Sequence, residues 1–88
     1  MDQLSLLATP DDAEQVAKAW MERRYGKKLG RVKFVEAMNE NGVWNVKAKV
    51  KLAVGVLLVK PHLVQVRIDA RTTEVLGYSE SEVNDKAD

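Results

Sequence analysis

Along residues 43–59 every even position is apolar: Trp44, Val46, Ala48, Val50, Leu52, Val54, Val56 and Leu58. The odd positions divide in two. Asn45, Lys47, Lys49 and Lys51 are polar, whereas Ala53, Gly55, Leu57 and Val59 are not. Alternate side chains of a strand point to opposite faces, so the first half predicts a strand with one dry face and one cationic face. The second half is apolar on both faces, and a small domain has few places to hide such a ribbon.

A helix is predicted over residues 10–25. Thr9 suits the N-cap, Pro10 the first helical position, and Asp11, Asp12 and Glu14 the positive end of the helix dipole. Asp12 also stands where a capping-box carboxylate reaches back to the cap. Ala13, Val16, Ala17, Trp20 and Met21 follow at three- and four-residue steps and make one apolar stripe. Arg23, Arg24, Lys27 and Lys28 complement the negative end, and Gly26 is a suitable terminator. Leu6 and Leu7 are expected to fold back over the first turn.

Everything after the helix reads as strand. A first strand over 31–39 places Val32, Phe34 and Met38 on one side. Asn39-Glu40-Asn41-Gly42 then gives an Asn-Gly hairpin turn. The long ribbon from Val43 is the second strand, and Lys60-Pro61 is expected to interrupt it because proline has no ladder donor. Val64, Val66 and Ile68 mark a third strand, Asp69-Ala70-Arg71-Thr72-Thr73 a polar turn, and residues 74–78 a short fourth strand. Residues 79–88 are polar, with Val83 the one apolar side chain beyond alanine, and read as a disordered tail.

The expected fold is therefore α+β: one N-terminal helix packed on a four-stranded antiparallel meander sheet with an extended central hairpin, in a single domain over residues 1–78. Trp20, Phe34, Trp44, Val46, Val50, Val64, Val66 and Ile68 form the expected core. Lys33, Lys47, Lys49, Lys51, Gln65 and Arg67 fall on the opposite, open face.

Charge sharpens this picture. The net charge of +1 conceals a segregation: residues 18–60 hold eleven bases and three acids, while the two ends hold three bases and ten acids. Such asymmetry marks either an electrostatic footprint or a dipolar molecule that stacks on itself. No apolar run approaches the roughly 18–20 residues needed to span a bilayer. With an N-terminus unlike a secretory signal and no cysteine, the chain reads as cytoplasmic, without disulfides or thiolate metal sites.

The order of one helix and four strands resembles the PepSY-like and cystatin-like α+β modules. The residues that carry the likeness are Val43-Trp44-Asn45-Val46 and Val64-Gln65-Val66-Arg67-Ile68-Asp69-Ala70-Arg71-Thr72-Thr73-Glu74-Val75-Leu76. Thr73 stands where the family commonly has glycine, and residues 52–61 extend the central hairpin. The resemblance implies a non-catalytic regulatory or inhibitory module, often outside the cytoplasm, and transfers no site residue.

Catalysis finds no constellation in this sequence. His62 is the single histidine, so neither a thiol–histidine pair nor a two-histidine metal site can be built. Asp11, Asp12 and Glu14 belong to the helix start rather than to a cation site. No metal or cofactor is expected. Two interaction surfaces remain. Val54, Val56, Leu57, Leu58 and Val59 form an apolar hairpin tip, suited to a homodimer or a heterologous protein partner unless it closes over Leu6, Leu7 and Leu29. Lys33, Lys47, Lys49, Lys51 and Arg67 form a basic face that could track a nucleic-acid backbone, although no aromatic platform accompanies it. The reading is a non-enzymatic interaction or regulatory module that self-associates through the central hairpin. The alternative is weak, sequence-independent nucleic-acid binding.

Overall fold

The helix forms where its caps require it. In a computed structural model, which describes residues 7–55 and 58–83, α1 spans Pro10–Tyr25. The Asp12 amide donates to Thr9 Oγ1 (3.2 Å), and Asp12 Oδ2 accepts from the Thr9 amide (3.3 Å), completing the capping box. Gly26 ends the helix at φ 57°, in the left-handed region that favours glycine, and a 3₁₀ turn, Gly26–Lys28, leads into the sheet.

Four antiparallel strands follow in meander order: β1 Leu29–Glu40, β2 Val43–Val54, β3 Leu58–Asp69 and β4 Val75–Glu82. Asn41 and Gly42 turn the first hairpin with φ of 54° and 83°, and Glu40 pairs with Val43. Positive φ at both central residues is the type I′ geometry that matches strand twist. The Gly42 amide is also bonded to Asn39 Oδ1 at 3.2 Å.

One face of the sheet is covered by α1. Ala13, Ala17 and Met21 are buried on the helix, and Trp44, Val46, Ala48, Val50, Leu52, Val64, Val66 and Ile68 beneath it. Leu7 is buried too and helps to seal the far end, where the two turns lie. Its amide donates to the Ala70 carbonyl, its carbonyl accepts from Trp44 Nε1 (2.8 Å), and the Ala70 amide donates to the Gly42 carbonyl. Leu6 lies outside the described residues. Trp20 and Phe34 are only partly buried; Met21 takes the central position that the stripe offered to either residue.

Three further expectations change. Pro61 does not interrupt the ribbon: β3 is continuous and Pro61 pairs with Lys51. A strand residue aims its N and C=O to the same side, and the Pro61 carbonyl accepts from Val83, just past the end of β4. The missing donor therefore lies opposite Val83, beyond the last rung to β4, where it removes a terminal bond and not one in mid-ladder. Met38 falls on the open face rather than beside Phe34. Phe34 pairs with Ala48 but Glu36 with Lys47, so Val35 is an extra residue that reverses the alternation. Finally, β4 runs four residues into the expected tail. Ladder bonds to β3 need no apolar side chains, and an ion pair between Lys60 and Glu82 (3.3 Å) adds to them. Residues 84–88 lie outside the described set.

The turn between β3 and β4 holds Thr73 at φ 65°. Asp69 Oδ1 accepts from the Arg71 and Thr72 amides, and the Asp69 carbonyl from the Thr73 amide, so this conformation is imposed by the turn. A β-branched residue there costs roughly 1–2 kcal/mol, part of which glycine would return in unfolded-state entropy. Thr73→Gly is expected to raise stability by about 0.5–1 kcal/mol in denaturant titration, and an unchanged or lower midpoint would refute the strain.

Candidate functional site

Register decides which side chains share a surface. On the open face Lys33 pairs directly with Lys49, and Lys51 stands opposite Pro61. Arg31, two residues before Lys33, shares this face by alternation, while the extra position between the Leu29 and Val32 rungs keeps Leu29 on the helix side opposite Leu52. Arg31, Lys33, Lys49 and Lys51 line one shallow concavity of about 180 Å³ with Pro61 and Val83. Gly30 makes the bulge possible, because a Cβ there would sit 3.0 Å from the Lys51 carbonyl oxygen.

The five cations expected on this face are not one group. Lys47 pairs across the strands with Glu36 (Nζ–Oε1 3.8 Å), in a separate depression with Met38 and Glu40. Arg67 lies further toward the far end, beside Gly77 and Tyr78. Lys33, Lys49 and Lys51 stay together, and Arg31 joins them. The two-residue spacing of Arg31 and Lys33 already announces it, since alternation puts both on one face of β1. Like charges facing each other across a strand pair, as Lys33 and Lys49 do, are destabilising. No acid is paired with these four cations among the described residues.

The apolar tip lies at the same end. β1 begins at Leu29, opposite Leu52, and β4 stops at Glu82, opposite His62. The rungs Ala53–Val59 and Val54–Leu58 therefore project beyond both neighbours as a two-stranded ribbon. Val54 and Leu58 lie on the helix side of this ribbon and Val59 on the open side. They are 41%, 51% and 53% exposed, so these three do not close over the core. Val56 and Leu57 lie outside the described residues.

Other groups take structural places. The ring Nδ1 of His62 is 3.1 Å from the Lys60 carbonyl, which can only accept, so this nitrogen is the donor. Among the described residues no cluster of three metal-ligating side chains is present. A group that sequence patterning missed closes the β4 side of the helix. Trp20 packs on Tyr78 (ring centroids 4.9 Å apart), the Arg24 guanidinium lies 4.3 Å from the Tyr78 centroid, and the Tyr25 hydroxyl donates to Glu80. The link from residue 25 to residue 80 spans most of the chain and leaves no local mark.

Burial first, and then the Glu80 carboxylate, push the Tyr25 phenol up from 10.0 to about 12, against the opposing pull of Arg24. The folded state thus favours the neutral phenol. Its contribution is complete below the unfolded value of 10.0 and is lost as pH rises through about 12. Stability measured across that window is expected to fall less steeply in Tyr25→Phe than in the parent. Parallel curves would show that the phenol titrates alike in both states.

No family model, no curated protein and no solved structure matches this chain.

Proposed function

We propose that this chain is a non-enzymatic interaction module whose contact surface is the hairpin end of the sheet. The observation that carries this reading is the exposure of Val54, Leu58 and Val59 on a projecting ribbon. Half-exposed as they are, each forfeits on the order of 1 kcal/mol relative to full burial, a cost that a partner would recover. A second copy of the chain would offer such a cover, since one tip presents the other with a matching apolar surface.

Self-association through the tip would bring two sets of cations together, and salt screens such repulsion. The molar mass from light scattering is therefore expected to rise with protein concentration, and more readily in high salt than in low. Leu58→Lys should hold the chain monomeric, whereas a dimer indifferent to this substitution would remove the tip as its interface.

The quartet Arg31, Lys33, Lys49 and Lys51 favours a second reading, sequence-independent nucleic-acid binding on the open face. Four phosphate contacts to a single strand would give a log–log dependence of affinity on salt with slope about −3. Lys49→Gln with Lys51→Gln should roughly halve that slope. Affinity that ignores salt would exclude this surface.

A further inference from the structure

The charge segregation along the sequence becomes a polarity along the molecule's long axis. The described chain measures 52 × 29 × 18 Å. Helix, 3₁₀ turn and strand ends place Arg23, Arg24, Lys27, Lys28, Arg31, Lys33, Lys49, Lys51 and Lys60 toward the hairpin end. The acids sharing that half are Glu22, Glu80 and Glu82. Toward the far end lie Asp11, Asp12, Glu14, Glu40, Asp69 and Glu74, with Arg67 and Arg71.

Cations and apolar tip also stand in a definite order of height. At about 3.4 Å per residue, Lys60 is roughly 7 Å behind Leu58, and Lys51 roughly 10 Å behind Val54. Lys27 and Lys28 are exposed in the 3₁₀ turn just before Leu29, which pairs with Leu52. The outermost described rungs are apolar on both faces, and the next rungs down carry ammonium groups on both faces, Lys60 on the helix side and Lys51 on the open side. The described rungs thus set an apolar ribbon ahead of a basic collar.

Resting on the reading of the hairpin end as the contact surface, we infer that its occupant is the surface of an anionic lipid bilayer. Apolar groups of an interfacial protein settle about 5–10 Å into the headgroup and acyl boundary, which is the height separating tip and collar here. Anionic headgroups would then meet Lys27, Lys28, Arg31, Lys51 and Lys60, while the acidic far end points away from the like-charged surface. A second copy matches this end less well, because it would set collar against collar. The chain lies on the bilayer and does not cross it; no helix among the described residues is long and apolar enough to do so.

The test is co-sedimentation of the full chain with phosphatidylcholine vesicles, with and without phosphatidylserine. Binding is expected only with phosphatidylserine and should weaken as salt rises. Lys28→Gln with Lys51→Gln should reduce it on the order of 25-fold, at about 1 kcal/mol for each charge. Leu58→Trp, read against the same variant in buffer, should shift its emission to the blue on phosphatidylserine vesicles as the tip enters the boundary. Equal binding to both vesicle types, binding without a blue shift, or no binding would each overturn the inference. Absent vesicle binding, a dimer that Leu58→Lys dissolves would leave the hairpin end as the contact surface. A monomer indifferent to that substitution would remove both readings. Every substituted residue is exposed, and unchanged thermal melts would exclude loss of folding as the cause.

Discussion

A single helix of 16 residues must cover a sheet whose two central strands have 12 residues each. At about 1.5 Å per helical residue α1 reaches roughly 24 Å, while the strands extend roughly 40 Å. The 3₁₀ turn adds about 6 Å, which carries the cover to the rung of Leu29 and Leu52 and no further. Core, seal and exposed tip all follow from this mismatch. Ala13 and Ala17 let the helix sit close to the sheet, Met21 fills the middle, and Leu7 closes the far end with Trp44 and Ala70. Among the described residues, what lies past Leu52 has no helix above it and no strand beside it.

Electrostatics follows from the same arrangement. The helix runs toward the hairpin end, so its basic last turn and the 3₁₀ lysines join the lysines of β2. Its acidic first turn shares the far end with two turns that carry Glu40, Asp69 and Glu74. A nearly neutral chain thus becomes a dipolar one because sequence blocks of opposite sign are folded to opposite ends. The Lys33–Lys49 rung is unfavourable to the fold by itself, and an anionic neighbour would relieve it.

The sequence made the helix legible because its cues are local: the capping pair, the proline, the apolar stripe and the terminating glycine agree with one another. The meander was legible through alternation and through Asn41-Gly42, whose positive φ values only a few residue types accept. The bulges were not. An inserted residue such as Val35 leaves the composition of a strand unchanged while reversing every side chain beyond it, which moved Met38 to the open face. Pro61 misled because proline is judged against a complete ladder, and here the neighbouring strand ends one rung short of it. The contacts of Trp20, Arg24 and Tyr25 with β4 join residues more than fifty positions apart, beyond any periodicity.

The irregularities of the two outermost strands have a further effect. β1 is bulged twice, and β4 once, at Leu76, between the Ile68 and Arg67 rungs. An incoming strand would lose register within a few residues at either margin, and Glu80 and Glu82 add like-charge repulsion along β4. Lateral addition of sheet to sheet is thereby discouraged. A molecule blunted at its sides can expose an apolar end without offering a regular margin along which strands would add into fibres.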